Sequence, residues 1–324
     1  MALMEQETVA LQHLQAALKA SDGHIDQEAQ RGNDHTLDIT VQSHIPVLSF
    51  RYVHTTIPMA LIEAEIHHLW YTVIKAAKHW DATNPKQDTL VRYLLSARAR
   101  GTLTRPLVTV DADSPNTNGG DRQEVTPFSD GGMFWSDLPF LGQDLMEEWK
   151  QRFYTADFED ENSSRSNLAA FIGRLASVGI WKGPAACALS LFRETLETPR
   201  PPISTADAID SGNDTVLPIE SLVLALQQML CHSEGVIIDL NNKSLDITES
   251  PLSSDFSGLG ELAVQSGLSS PGYNPERWCF WIKRLKELAK CEYPDVSDSA
   301  ECCLDIMSSA AESTYGPLAG KISR

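Results

Sequence analysis

Residues 58–80 read Pro-Met-Ala-Leu-Ile-Glu-Ala-Glu-Ile-His-His-Leu-Trp-Tyr-Thr-Val-Ile-Lys-Ala-Ala-Lys-His-Trp. Met59, Ile62, Ile66, Leu69, Val73, Ala77 and Trp80 recur every three or four positions, which is the apolar stripe of a long amphipathic helix. Pro58 suits the first turn, where a missing N–H breaks no bond. Asn84-Pro85-Lys86-Gln87 follows, with Asn84 as an N-cap, Pro85 as the first helical residue and Gln87 as its capping-box partner. Leu90, Val91, Leu94 and Leu95 then supply a second apolar face, predicting a helical hairpin with the first.

The same period continues downstream. Helices are predicted over 142–154, along Leu168, Phe171, Ile172 and Leu175, along Ala185, Ala188, Leu189, Phe192 and Leu196, and along Ile219, Leu222, Val223, Leu226 and Leu230. A short one is expected over 259–264. Asn274-Pro275 opens a strong helix through Trp278, Trp281, Ile282, Leu285 and Leu288, and a last one carries Ala300, Cys303, Leu304, Met307 and Ala311. Residues 101–132 and 198–216 are loops rich in Pro, Gly and Asp. Only 47–53 and 107–110 look β-like. The expected fold is an all-α, multi-helix bundle with long acidic and Pro/Gly loops. Its expected domains are a poorly ordered segment over 1–55 with one short helix, a single helical domain over 56–315, and a tail over 316–324.

The chain has 324 residues, with 44 acidic against 26 basic side chains and a formal net charge of −18. Such a surface repels phosphate backbones, so no nucleic-acid partner is expected. No apolar run reaches the roughly 18 residues of a membrane span. The opening Met-Ala-Leu-Met-Glu-Gln-Glu has neither the basic start nor the apolar run of a secretory signal. The six cysteines include no Cys-x-x-Cys, and they read as buried reduced thiols. A cytoplasmic location is the expectation.

Motifs for chemistry are sparse. No P-loop, dinucleotide fingerprint or Gly-x-Ser-x-Gly elbow is present. Glu65-Ile66-His67-His68 is one Glu-x-x-His unit, and a di-iron bundle needs two. Asp157-Phe-Glu-Asp-Glu161 lacks the paired leading aspartates of a magnesium-binding terpene cyclase motif. Neither metal nor cofactor is expected, and no catalytic residue is assigned. Eight of the nine histidines fall within the first 80 residues. His67 borders the apolar stripe near Trp70. The pocket candidates are His67, Trp70, Trp135, Trp149, Trp181 and Trp281, an aromatic lining suited to an apolar small-molecule substrate.

Three segments carry a resemblance. They are Gly132-Met-Phe-Trp135-Ser-Asp137-Leu-Pro139-Phe-Leu-Gly142 with Met146-Glu-Glu-Trp149, Leu168-Ala-Ala-Phe-Ile-Gly-Arg-Leu175, and Asn274-Pro-Glu-Arg277-Trp278-Cys-Phe-Trp281-Ile-Lys-Arg-Leu285. Together they resemble the fungal family of unknown function DUF3632, over roughly residues 60–310. The resemblance implies an all-helical protein, often found among secondary-metabolism genes, and it supplies no catalytic residues. One expected role is a cofactor-free enzyme of the cyclase, isomerase or pericyclase type, holding an apolar natural-product intermediate in a reactive fold. The other is a non-catalytic helical scaffold. An enclosed apolar cavity favours the first and an exposed apolar patch the second.

Overall fold

The stripe beginning at Met59 forms helix α3, Met59–His79, in the computed structural model. The structure describes residues 2–106, 123–155, 163–203, 217–233, 235–244 and 255–315. Ile62, Ile66, Leu69, Val73 and Ala77 are buried on one face of α3, as their spacing dictates. Each large aliphatic side chain hidden this way contributes about 1.5–3 kcal/mol. Pro58 sits just before the helix, its carbonyl accepting from the Leu61 amide at 3.0 Å.

The described residues are all-α apart from one antiparallel pairing of two-residue strands, Arg105–Pro106 with Gln123–Glu124. They divide into two compact units, Met1–His79 with Asp88–Asp144 and Trp80–Gln87 with Leu145–Arg324.

In the first unit, residues 1–55 depart from expectation. They form two long helices, α1 (Ala2–Gln30) and α2 (Asp34–His54), packed on each other and on α3. The run 47–53 is part of α2, not a strand. Ile25, Ala29, Leu37, Val41, Ile45, Leu48 and Tyr52 are the buried stripe, thinned by intervening polar residues. Much of the docking is polar. Asp22 accepts from His68, Asp26 from Tyr71 and Lys75, and Asp34 pairs with His79. Helix α4 (Pro85–Arg98) follows the Asn84 turn, where Asn84 Oδ1 caps the Lys86 amide at 3.0 Å. Gln87 is not a capping-box partner: it belongs to the second unit, where it is buried and donates to the carbonyls of Trp80 and Asn167. The predicted hairpin is not formed, since α3 and α4 do not pack along their lengths.

The second unit contains α5 (Leu141–Glu148, begun in the first unit), continued as a widened π turn over Trp149–Phe153. It also contains α6 (Ser164–Ser177), α7 (Pro184–Phe192) with a π turn over Arg193–Glu197, and α8 (Ile219–His232). Short helices α9 (Val236–Asn242) and α10 (Glu261–Gln265) precede α11 (Pro275–Leu288) and α12 (Pro294–Tyr315). Asn274 caps α11 as predicted, its Oδ1 accepting from the Arg277 amide at 2.8 Å. Helices α6 and α8 form the tightest pairing, with Gly173 of α6 against the backbone of α8. Residues 107–110, 157–161 and the loop 204–216 lie outside the described residues. No single described helix is long and apolar enough to cross a membrane.

A pH dependence arises inside the α1–α2–α3 unit. The His44 ring meets His68 edge-on at 5.3 Å, and its Nδ1 lies 2.6 Å from the Thr40 carbonyl. Burial pushes the His44 pKa below its usual 6.5, helped by the charge of His68 and opposed by the Thr40 carbonyl and by Glu65. Glu65 itself pairs with Arg51, and Asp22 faces His68. A base whose folded pKa is depressed stabilises the fold above its unfolded pKa. That stability is lost as pH falls from about 6.5 through the folded value, because the unfolded chain takes up the proton first. The drop in melting temperature between pH 7 and 5 should therefore be smaller in His44→Gln than in the wild type. Scanning both proteins at both pH values checks this; equal drops would contradict it.

Candidate functional site

The first family-like motif folds into a loop with an unusual backbone. Trp135, Leu138 and Phe140 have φ of 60°, 49° and 64°, three side-chain-bearing residues in the left-handed region within six positions. Each such residue costs about 1–2 kcal/mol, so the surroundings must hold it. Asp130 accepts from the amides of Gly132 and Phe140, and Asp137 from that of Met133. Trp70 donates its indole N–H to the Pro139 carbonyl at 2.7 Å, and Trp135 donates to Ser49 Oγ at 2.7 Å. Trp70 and Trp135 meet edge-on at 6.3 Å and are fully buried. Glu63 caps the loop at Ser129, accepting from its amide and its hydroxyl.

His67 stands beside this loop. One turn before Trp70 on α3, it places Nδ1 2.8 Å from Asp144 Oδ2 and 2.9 Å from Oδ1. Its ring lies 4.4 Å from that of Phe140. The His67 side chain is 41% exposed and Asp144 19%. The hydrogen bond to Asp144 raises the His67 pKa above its usual 6.5, partly offset by burial, with further raising by the charges of Asp144, Glu63 and Asp130. With Nδ1–H donated to the carboxylate, Nε2 is the nitrogen left for a ligand. The sign is opposite to that of His44: this pair stabilises below the unfolded pKa and fades as pH rises through the folded one.

The neighbouring histidine differs. His68 is buried, with Nδ1 2.7 Å from Asp22 Oδ1 and Nε2 3.4 Å from Ser21 Oγ. The connectivity is that of an Asp–His–Ser triad. However, Ser21 lies inside α1, where the adjacent amides belong to the helix ladder and form no oxyanion hole. Glu65 and His68, the Glu-x-x-His pair, face different partners, Arg51 and Asp22. Among the described residues no three His, Cys, Asp or Glu side chains converge as metal ligands.

The remaining candidates lie in the second unit. Trp149 is buried, stacks on Phe153 at 3.6 Å and donates to Tyr154, which bonds Ser190. Trp181 is partly exposed, with the Lys243 ammonium over its ring at 5.8 Å. Trp281 is fully buried, stacked on Phe192 at 4.2 Å, and donates to Glu197 Oε1 at 2.6 Å. His67, Trp70 and Trp135 lie in the first unit, and Trp149, Trp181 and Trp281 in the second.

Sequence reading missed Glu197. Its carboxylate is fully buried and accepts from Arg277 Nε and Nη2, from Trp281 and from the Gly260 amide. Arg277 completes its set on the carbonyls of Ser257, Gly272 and Gly258. A Cβ at Gly260 would lie 2.7 Å from the Glu197 backbone, which is why that position carries none. The Arg-Trp-x-x-Trp motif thus serves as a buried hub: Arg277 and Trp281, one turn apart, grip one carboxylate. Of the cysteines, Cys187 and Cys303 are buried with their thiol pKa pushed up by burial, which suppresses thiolate chemistry. Cys231 and Cys279 are exposed, against the expectation of buried thiols.

The described residues define an all-helical protein in which a strained aromatic loop supports the half-exposed His67–Asp144 pair. The chain belongs to the DUF3632 family, a family of proteins of unknown function, whose profile matches residues 70–285. It is also similar to the oxopyrrolidines biosynthesis cluster protein G of Penicillium oxalicum, at 28% identity over 239 residues. That match covers 70% of this chain and 60% of the relative, so the chain spans less than two thirds of the relative's length. No solved structure matches.

Proposed function

We propose that this protein serves in the biosynthesis of a fungal secondary metabolite, as a cofactor-independent enzyme that promotes ring closure or isomerisation of a small, largely apolar intermediate. The observation that carries this reading is the half-exposed His67, anchored through Nδ1 on Asp144. The hydrogen bond to Asp144 raises its pKa, which shifts the ring toward the imidazolium. An Nε2–H donor of this kind polarises a carbonyl as negative charge develops on its oxygen, or protonates it. Orientation of the substrate contributes the rest and requires no nucleophile. The similarity to an oxopyrrolidines biosynthesis cluster protein of Penicillium oxalicum supports the pathway setting. A cytoplasmic location fits this role.

Deleting the gene should remove one natural product and accumulate its precursor. Reintroduced His67→Gln keeps a hydrogen bond to Asp144 but carries no transferable proton, and product formation should fall about 10²–10⁴-fold. Wild-type product levels from His67→Gln would sink the reading.

A second reading, a scaffold, draws on α2. Ile39, Val47 and Phe50 are 46%, 53% and 62% exposed and fall on one stripe of that helix. It is favoured if His67→Gln restores the product and Phe50→Asp does not.

A further inference from the structure

The peptide joining Pro139 to Phe140 is held at both of its polar groups. Its carbonyl accepts from Trp70 Nε1 at 2.7 Å, and its N–H donates to Asp130 Oδ2 at 2.9 Å. Asp130 Oδ1 meanwhile accepts from the Gly132 amide at 2.8 Å, so one carboxylate ties the loop's beginning to its end. This grip fixes Phe140 at φ +64°, a conformation its side chain disfavours.

Phe140 then makes both contacts that define His67. Its ring supports the imidazole face at 4.4 Å, and is itself met edge-on by Phe128 at 5.9 Å. Its carbonyl accepts from the Asp144 amide at 2.8 Å, setting the first turn of α5 and with it the carboxylate that receives Nδ1–H. A rotation of the 139–140 peptide would move the imidazole's platform and its anchor together.

We propose that Asp130 is a positioning residue for His67, acting through the Pro139–Phe140 peptide. The proposal rests on the reading of His67 as the proton-donating group. Asp130 makes its hydrogen bonds to the Gly132 and Phe140 amides and none to the imidazole. It holds the donor's tautomer and direction, which is the work of a supporting shell around a reactive side chain.

Asp130→Asn keeps the shape but turns an amide N–H₂ toward one of the two backbone N–H groups. Nitrogen-detected NMR of the imidazoles separates positioning from charge. Loss of the Asp130 charge alone lowers the His67 pKa and leaves the Nδ1–H tautomer and its slow exchange intact. Loss of positioning also speeds Nδ1–H exchange and mixes the tautomers, and it should lower product formation at least tenfold. An unchanged tautomer and exchange rate in folded Asp130→Asn overturns the proposal. If that variant does not fold, Asp130→Glu decides, since it keeps the carboxylate charge and displaces its grip on the Gly132 and Phe140 amides. A broadened, fast-exchanging His67 signal there supports the link, and an unchanged signal overturns it. Full product formation by His67→Gln would reject the enzymatic reading while the NMR linkage still stood, so the two failures are distinguishable.

Discussion

Glu197→Gln should destabilise the second unit by about 3–5 kcal/mol, the largest effect expected of any single polar change. The substitution leaves the Arg277 guanidinium without a counter-charge at 0% side-chain exposure. It also points an amide N–H₂ at donors, either Arg277 Nε and Trp281 Nε1 on the Oε1 side or Gly260 N and Arg277 Nη2 on the Oε2 side. Four elements lose a common anchor, namely the π turn Arg193–Glu197, the segment 257–260, the Gly272 turn and α11. Denaturant unfolding of the two proteins measures the loss. Replacing both partners by apolar residues, Glu197→Leu with Arg277→Met, should recover part of it, because an uncompensated charge is worse than none. Recovery stays incomplete, since the carbonyls of Ser257, Gly258 and Gly272 lose their donor. A change below 1 kcal/mol in Glu197→Gln would mean that water reaches Arg277 and the hub is not dry.

The hub also marks how far the sequence could be read. Arg277 and Trp281 stood out because they lie on one face of a helix whose cap, Asn274-Pro275, is a local signal. Glu197 lies 80 residues earlier in a π turn after an apolar run, and no period or motif links it to them. The same holds for the candidate site. His67 was visible at the edge of the α3 stripe, whereas Asp144 is 77 residues away and reads as an ordinary first-turn acid of α5. Trp70 and Trp135 were visible as large rings, but the left-handed backbone of Trp135, Leu138 and Phe140 was not. Glycine usually announces such geometry, and here other side chains adopt it under restraint from Asp130.

Helices α1 and α2 were missed for a different reason. Over 47–53 the β-branched and aromatic residues have strand propensity, yet Leu48 and Tyr52 are buried and Val47 and Phe50 exposed, a helical pattern. Tertiary contact overrides propensity there. Further upstream, the polar stretch 21–44 belongs to the segment expected to be poorly ordered. It is held by Asp22, Asp26 and Asp34 reaching α3, partners that only the folded chain supplies.

Gly173→Ala should destabilise the α6–α8 pairing by about 1–3 kcal/mol, although alanine is the better helix former. The two effects oppose each other. Propensity favours alanine by about 1 kcal/mol in a helix interior. Against it, a Cβ at 173 would overlap the Met229 carbonyl oxygen and lie 3.2 Å from His232 Cβ. The obstacle is backbone, so no rotamer relieves it, and α8 must move off α6. Steric cost therefore exceeds propensity. Gly23 supplies the matched control: it too lies within a helix, α1, and a Cβ there meets nothing within 4 Å. Gly23→Ala should stabilise its unit by about 0.5–1 kcal/mol. Melting the two variants beside the wild type reads both signs at once. A gain in both would show that α6 and α8 can separate freely, and that the glycine in Leu168-Ala-Ala-Phe-Ile-Gly-Arg-Leu175 is not there to let two helices approach.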